Sequence, residues 1–273
     1  MKQAPPPTRL GELGQPSAWM SGRLLLLLAL ASLAFAASAL AQAGPLRPGV
    51  VEVMLKWAPL ILSGFAFNLV VSIVSMALGT AAGALLGLAQ IARSRLIRGP
   101  SWLVVQFFRN APWLVLLFYA ILLLPYQVTV FGLTVPLPAS VKAIIGLALP
   151  VMGNVAEIVR GGVRSIPYGQ WESAESLAFS RWQTLTMIIL PQALKRMIPP
   201  WMNLYAVLTM ATTLISVVGV EDALARTRAA LIAEGRSELL MPMYGLLLIL
   251  FFAYCYPIAR WTRALERRFA VKT

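Results

Sequence analysis

Five long apolar stretches, separated by shorter polar connections, set the pattern of this chain. An α-helix needs about 20 apolar residues to cross the hydrocarbon layer of a bilayer, and each stretch is at least that long. The stretches occupy residues 60–91, 101–124, 140–163, 201–220 and 239–261. The pattern therefore predicts an all-α integral membrane protein with five core transmembrane helices.

The connections between these stretches differ in charge. Lys and Arg are in excess in residues 92–99, 160–196 and 260–272, whereas 125–139 and 221–238 carry little or mixed charge. Basic residues gather in the cytoplasmic loops of membrane proteins. The prediction is consistent along the chain, because all three basic segments, including the C-terminal one, then lie on the cytoplasmic side.

The first 48 residues form a separate region. Residues 1–23 are Pro-rich and basic, and a Leu/Ala run at 24–41 ends in Ala39-Leu40-Ala41. A basic flank, an apolar run and an A-x-A ending are typical of a cleaved signal peptide. A retained sixth helix, giving N-in/C-in topology, is the alternative, and both interpretations place residues 43–59 outside. The transmembrane domain then comprises residues 49–273.

The composition supports a membrane location. Hydrophobic residues make up 59% of the chain and charged residues 12%, with a formal net charge of +13. Soluble domains carry about 25% charged residues, so this chain has too few to cover a water-facing surface. The positive charge is better explained by cytoplasmic loops than by a nucleic-acid-binding face.

The residue types also exclude several chemistries. The chain has no histidine, and Asp222 is its only aspartate. A His-ligated zinc site, a Ser-His-Asp triad and a paired-aspartate site therefore lack their residues. No G-x-x-x-x-G-K-[ST] phosphate loop occurs. We expect no catalytic residue, metal or cofactor in this chain, and no ATP hydrolysis by it.

Two sets of small or polar residues recur at helical spacing. Gly79, Gly83 and Gly87 stack on one helix face, where another helix can approach closely, so we expect bulky replacements at Gly83 to impair assembly. The second set, which shares hydroxyl groups on one face, comprises Tyr205, Thr209, Thr212 and Ser216. These hydroxyls either pack helices together or line a polar path, and both interpretations stay open.

Polar groups also lie near the end of the third apolar stretch, at Asn154, Glu157 and Arg160. Glu157 and Arg160 are three residues apart and face each other on a helix. The pair is either structural or part of a substrate path, for which Asn154 and Glu157 are the candidates.

The segment 165–199 is too long for a turn and too patterned for a linker. Pro167 can begin a helix, since its missing N–H is not needed in the first turn. A short cytoplasmic helix with acidic and small residues follows. Pro191 and Pro199-Pro200 are expected to break the next segment. We interpret this segment as a surface that binds a water-soluble partner.

Within this segment, the chain resembles a known family. Glu172-Ser173-Ala174, Glu175-Ser176-Leu177-Ala178 and Leu190-Pro191-Gln192-Ala193 are similar to the EAA loop of permease subunits of binding-protein-dependent ABC importers. The polar amino acid subfamily is the closer match, through the sequences Glu157-x-x-Arg160-Gly161-Gly162, Gly169-Gln170-x-Glu172, Arg109-x-x-Pro112 and Thr212-Thr213-Leu214. The resemblance spans roughly residues 60–265.

The chain departs from the family pattern at four positions. Ser173 replaces a second alanine, and Ala178 replaces a glycine that sets a bend. Met210 stands where lysine is common, and Thr213 where serine is common. The bend at Ala178 is the feature that these departures put in question.

The resemblance implies a mechanism and a set of partners. A separate ATPase subunit, which holds ATP and Mg²⁺, would dock on the cytoplasmic loop around Glu172. The docking residues implied are Gly169, Gln170, Glu172, Ser173, Ala174, Leu177 and Ala178. A second permease, copy or paralogue, and an extracytoplasmic solute-binding protein would complete the importer. The substrate would be a polar amino acid, carried across the bacterial inner membrane through a lipid-embedded path.

The alternatives belong to other classes. A secondary transporter or channel acting without an ATPase would use ionisable residues within its spans, whereas here the charges cluster at the ends of the apolar stretches. A membrane-embedded enzyme lacks the residues described above. A non-transporting scaffold is the remaining alternative, and dependence of uptake on a co-expressed ATPase separates it from an importer.

Overall fold

A computed structural model describes residues 48–130 and 133–269. The N-terminal Leu/Ala run at 24–41 lies outside the described residues. The rest is built mainly from helices, with these bounds: α1 Val50–Gln90, α2 Arg95–Asn110, α3 Trp113–Leu123, α4 Ala139–Arg164, α5 Tyr168–Ser176, α6 Arg181–Gln183, α7 Leu190–Ala211, α8 Ala223–Glu234 and α9 Leu240–Phe269.

Helix α1 is longer than its apolar pattern suggests. It begins at Val50, so residues 50–59, expected in an outer connection, are helical. Its 41 residues span about 60 Å at the helical rise, about twice the thickness of the bilayer hydrocarbon. The added turns are held by packing, since Val53 and Ile61 are buried in a cluster with residues of α8 and α9.

The stretch predicted as one helix at 101–124 is bent. The helix axis bends by 104° at the short break between α2 and α3. Pro112 explains the break, because proline drives the residue before it out of the helical region. Ala111 accordingly has extended dihedrals, with φ −72° and ψ 140°. The second predicted stretch therefore forms two helices rather than one, and whether the bent pair makes one span stays a prediction.

The outer connection after α3 contains a small hairpin. Strands β1, Gln127–Val130, and β2, Leu133–Pro136, pair antiparallel, with Gln127 opposite Pro136. Beside it, the buried Lys142 donates from Nζ to the Leu124 carbonyl at 2.7 Å and to the Ile121 carbonyl at 3.3 Å. A cation at the C-terminal end of a helix is electrostatically favourable, so Lys142 stabilises the end of α3.

Helix α4 lies at the centre of the bundle, packed against α1, α2, α3 and α7. Its bounds agree with the stretch predicted at 140–163. The buried core contains Leu147, Val151, Val155 and Val159 of this helix. Their spacing of four residues places all of them on one helix face.

The chain between α5 and the end of α7 is not broken by its prolines. A wider π-helical turn, Thr184–Ile189, joins α6 to α7, with the Leu190 N–H donating to Leu185 O. Such a turn accommodates Pro191, which lacks an N–H and would crowd a regular turn. Helix α7 runs through Pro199 and Pro200 and continues as a 3₁₀ turn, Thr212–Ser216. The predicted breaks were therefore wrong.

The connection predicted at 221–238 also contains a helix, α8. Asp222 caps it by accepting from Ala225 N at 2.8 Å, and Gly235 ends it with φ 62°. Near its end, Lys56 Nζ and Trp57 Nε1 each donate to Glu234 Oε1 at 2.7 Å. These hydrogen bonds, the one from Lys56 first, lower the pKa of Glu234 below its ordinary value.

Within the described residues, three helical stretches are long and apolar enough to cross a bilayer: α1, α4 and Ser237–Phe269. The bent pair α2–α3 makes a fourth if it is counted as one span. The predicted number of five spans stays a prediction.

Candidate functional site

A cavity with a volume of 670 Å³ lies between α2, α3, α4 and α7. Polar and charged side chains from three of these helices face it: Arg109, Asn154, Glu157, Ser165, Arg196 and Asn203. Trp113, Ile158, Leu204 and Val207 supply apolar walls. A cavity that combines apolar walls with a few charged groups is typical of a small-molecule site.

Glu157, which lines the cavity, interacts with two arginines. Arg160 donates to its carboxylate from both Nε, at 3.1 Å, and a terminal guanidinium nitrogen. Arg109 Nη1 lies 3.8 Å from Glu157 Oε1. The carboxylate thus faces two guanidinium groups, one from its own helix and one from the end of α2. The predicted pairing with Arg160 occurs, and Arg109 is a partner that helical spacing could not show.

Close packing places Arg109 at this cavity. A Cβ added to Gly153 would lie 2.9 Å from the Arg109 backbone nitrogen. Only glycine allows the end of α2 to approach α4 this closely. On the other side, Arg196 of α7 donates to the Ser165 carbonyl at the end of α4. The cavity is therefore bordered by helices joined at its inner end.

The four hydroxyl residues predicted on one face lie away from this cavity. Tyr205 Oη is 2.8 Å from Tyr254 Oη and 3.4 Å from Ser72 Oγ. The Thr209 and Ser216 hydroxyls donate to carbonyls of their own helix, as does that of Thr212. This arrangement fits the packing interpretation, and of the predicted path residues only Asn154 and Glu157 face the cavity.

A buried polar cluster ties α1 to the corner before α8. Asn68 Nδ2 donates to Thr212 Oγ1 at 2.9 Å and to Asp222 Oδ2 at 3.1 Å, and Asn68 Oδ1 accepts from Ala223 N at 3.0 Å. All three side chains are buried. The hydroxyl pattern of the sequence indicated Thr212, but no pattern marked Asn68, an amide within an apolar stretch, and no structural role was predicted for Asp222.

The predicted docking residues lie on and around α5, between α4 and α7. Gly169, Gln170, Glu172, Ser173, Leu177 and Ala178 are exposed, whereas Ala174 is buried. Gln170 accepts from Gln192 Nε2 at 3.1 Å, which links α5 to α7. A cavity of 410 Å³ lies beside α5 and is lined in part by Arg93, Tyr168 and Glu175. The exposed face of α5 is therefore open to a partner.

The bend after α5 is present despite the alanine at its turning point. Ala178 has φ 57°, the left-handed region in which glycine is usual. Phe179 N donates to Ala174 O at 3.1 Å and Ala178 N to Glu175 O at 2.9 Å. These are the two hydrogen bonds of the Schellman motif, which ends a helix sharply. The bend that the alanine put in question is therefore kept.

Gly79, Gly83 and Gly87 form the contact of α1 with α4. A Cβ at these positions would lie 2.5–2.6 Å from Val151, the Met152 carbonyl oxygen or Val159, respectively. The close approach that their spacing predicts therefore occurs within one chain.

The described residues contain no group of three or more His, Cys, Asp or Glu side chains that could hold a metal ion.

Comparison with known proteins places this arrangement in a family. Residues 79–271 match the binding-protein-dependent transport system inner membrane component family. The chain is 34% identical over 212 residues to the probable amino-acid ABC transporter permease protein YckA of Bacillus subtilis, covering 78% of this chain and 90% of that protein. It is 30% identical to the inner membrane amino-acid ABC transporter permease protein YhdY of Escherichia coli, over 76% of this chain and 55% of that protein.

A solved structure shares the fold. A chain of an amino acid ABC transporter crystallised with histidines superposes with a TM-score of 0.70 at 24% identity, over 82% of this chain and all of that one (100%). The sequence matches cover most of the chain at the identities given above. The chain therefore belongs to the family of inner membrane components of binding-protein-dependent transport systems, the permease subunits of ABC importers.

Proposed function

We propose that this chain forms the membrane path of an importer for a polar amino acid and that a separate ATPase subunit drives it by docking on α5. The observation that carries the proposal is the position of α5. This exposed helix lies between α4 and α7, both of which line the 670 Å³ cavity. A force applied to α5 therefore reaches both walls of the cavity.

Two contacts support coupling between the docking helix and the cavity. The hydrogen bond between Gln170 and Gln192 joins α5 to α7. Arg196 joins α7 to the end of α4 through the Ser165 carbonyl, and its side chain also borders the cavity. Packed helices tend to move as rigid units between discrete arrangements. Movement of α5 would therefore change the spacing of α4 and α7.

The polar groups of the cavity suit a zwitterion. The Arg196 guanidinium is placed to bind a carboxylate, since guanidinium groups bind carboxylates through paired hydrogen bonds. The Glu157 carboxylate also lines the cavity, and its oxygens, shared with Arg160 and Arg109, can still accept a hydrogen bond from an ammonium group. Both relatives described above are named as amino-acid permeases, which agrees with this substrate class.

The remaining parts of the importer belong to other chains. ATP and Mg²⁺ would bind to the ATPase, in line with the absence of a phosphate loop in this sequence. A second permease subunit would complete the path, and an extracytoplasmic binding protein would deliver the substrate.

Uptake into proteoliposomes tests this function. The permease is reconstituted with its co-expressed ATPase and binding protein, and accumulation of labelled amino acids is measured with ATP inside the vesicles. We expect uptake that is lost when either the ATPase or ATP is omitted. Uptake that persists without the ATPase and follows an imposed proton or sodium gradient would instead assign the chain to the secondary transporters.

A further inference from the structure

A cluster of arginines surrounds two adjoining cavities near the inner ends of α1 and α4, beside the 670 Å³ cavity described above. The cavities have volumes of 450 and 270 Å³ and share Gln90, Arg98 and Arg164. Arg95 and Arg160 also line the first, and Arg181 the second. No acidic residue lines either cavity. The arginine cluster, as these five arginines are called below, therefore concentrates positive charge.

Most of this charge is not neutralised by the residues that the structure describes. Arg160 is paired with Glu157, but in the described residues the salt bridges include none from Arg95, Arg98, Arg164 or Arg181. Like charges held this close repel one another. A bound anion would remove that repulsion.

Gln90 is a second, independent sign of a missing ligand. Its side chain borders both cavities and is only 2% exposed. Neither Oε1 nor Nε2 has a hydrogen-bond partner in the described part of the chain. Buried polar side chains almost always have partners, so an orphaned amide needs an explanation. An oxygen-bearing anion in the cavity could accept from Nε2.

The surroundings of the cluster point to a lipid rather than a soluble anion. Helix α2, which carries Arg95 and Arg98, also exposes large apolar side chains: Leu96 is 87%, Leu103 64% and Trp102 53% exposed. Trp102 lines the larger cavity as well. Tryptophan and arginine together are typical of the interface between a bilayer and water. Cationic and apolar groups are thus side by side.

We propose that the arginine cluster and Gln90 bind the phosphodiester head group of an anionic phospholipid from the inner leaflet. Arg98 and Arg164, which border both cavities, hold the phosphate oxygens, since guanidinium groups bind phosphate through paired hydrogen bonds. Gln90 Nε2 donates to the same group. The acyl chains lie along the exposed face of α2, over Leu96 and Leu103.

The proposed lipid has a structural consequence next to the docking helix. Trp171 of α5 and Arg181 both line the smaller cavity, and Arg181 donates to the Ile91 carbonyl at the end of α1 at 3.1 Å. A head group at this point would join the ends of α1 and α4 to the base of α5. The lipid site would therefore stabilise the inner face of the permease.

Lipid titration of the purified full-length chain tests the proposal. Phosphatidylglycerol or phosphatidylcholine is added to the protein in a neutral detergent, and bound lipid is counted by native mass spectrometry. We expect one tightly held phosphatidylglycerol per chain. Each basic residue near a membrane surface contributes about 1 kcal/mol to anionic lipid binding, so Arg98→Gln with Arg164→Gln should weaken this binding about 30-fold. Phosphatidylcholine binding should not change.

A charge-matched variant distinguishes a site from general attraction. Arg267→Gln with Arg268→Gln removes two exposed charges from the end of α9 and should leave phosphatidylglycerol binding unchanged. An equal loss in both double variants would overturn the proposal. So would equal binding of phosphatidylcholine by the unaltered protein.

Two further measurements test the role of Gln90 and the identity of the bound anion. Gln90→Met removes the amide that has no partner, so it should raise the melting temperature of the protein in detergent alone. It should also reduce the further rise in melting temperature that phosphatidylglycerol causes. An undiminished rise with phosphatidylglycerol would overturn the role of Gln90. Stabilisation by inorganic phosphate equal to that by the lipid would assign the site to a soluble anion. That result would overturn the lipid proposal.

Discussion

Ala178 shows how a single residue can keep a family feature at an energetic cost. Its left-handed conformation, φ 57°, ends α5 and turns the chain towards α6. A side chain bearing Cβ is strained there by about 1–2 kcal/mol relative to glycine. The bend survives because the two hydrogen bonds of the Schellman motif and the buried Ala174 hold it.

Ala178→Gly should therefore stabilise the protein by about 1 kcal/mol. We expect the melting temperature, followed by intrinsic fluorescence in detergent, to rise by about 2–4 °C. Gly235 allows the opposite substitution as a control. It has φ 62°, and no heavy atom would lie within 4 Å of a Cβ added there. Gly235→Ala should lower the melting temperature by a similar amount. A fall for Ala178→Gly would show that its conformation is not strained.

Asn68 acts at the same scale through hydrogen bonds. It is fully buried and forms hydrogen bonds with Thr212, with Asp222 and with the Ala223 N–H. Asn68→Leu should destabilise the protein by about 1–3 kcal/mol for each buried group that it leaves without a partner. The free energy of unfolding in denaturant measures this loss. Asn203→Leu, at an exposed position, should have a much smaller effect, and equal losses in both variants would contradict the argument.

At the scale of helices, the contact between α1 and α4 depends on three glycines. Gly83 leaves no space for a methyl group, because a Cβ would lie 2.6 Å from the Met152 carbonyl oxygen and 2.7 Å from Val155 Cβ. The backbone of α4 cannot move without disturbing the core around it. The contact between α1 and α4, called the glycine seam below, lies within one chain. Replacing Gly83 is therefore expected to affect the folding of the single subunit.

Gly83→Ala should accordingly destabilise the subunit by about 1–3 kcal/mol, the usual cost of overpacking. Gly245→Ala in α9 is the control, since no heavy atom lies within 4 Å of its added Cβ. Removing a glycine from a helix interior typically gains about 0.5–1 kcal/mol. Thermal unfolding in detergent should therefore shift in opposite directions for the two variants. A shift in the same direction would show that the glycine seam can open.

At the scale of the whole molecule, the exposed side of α5 is joined to the cavity walls by contacts of α4 and α7. Glu172 is exposed on α5, and none of the four salt bridges in the described residues includes it. A change at Glu172 should therefore leave the fold intact and affect only what docks there. This separation makes the docking surface testable.

Glu172→Lys should reduce ATP-dependent uptake at least about tenfold. The reason is that a reversed charge facing a complementary partner surface weakens docking by more than about 1.4 kcal/mol. Membrane insertion and the melting temperature should stay unchanged. Glu266→Lys makes the same charge change at an exposed site on α9 and should preserve uptake. Co-purification of the ATPase measures the docking step. Normal uptake and normal ATPase association in Glu172→Lys would contradict the docking proposal.

The features readable from the chain alone were those set by local pattern. Apolar length predicted a helical membrane protein and placed α4 within one residue of its observed bounds, 139–164 against 140–163. Proline chemistry predicted the start of α5, where Pro167 is the capping residue. Glycine spacing predicted a face for close helix contact. Hydrophobicity and capping act over a few residues, so the linear order of side chains is sufficient to show them.

Other features depended on which helices came together. The 104° bend, the ten extra residues of α1 and the helix within 221–238 arise where packing and capping act beyond the apolar pattern. The second cation on Glu157 comes from Arg109, and the hydroxyls of Thr209 and Thr212 face partners rather than the cavity. Contacts between residues 48 or 144 positions apart, as in Arg109–Glu157 and Asn68–Thr212, exist only once the bundle has formed, because their energy depends on distances that local pattern does not set.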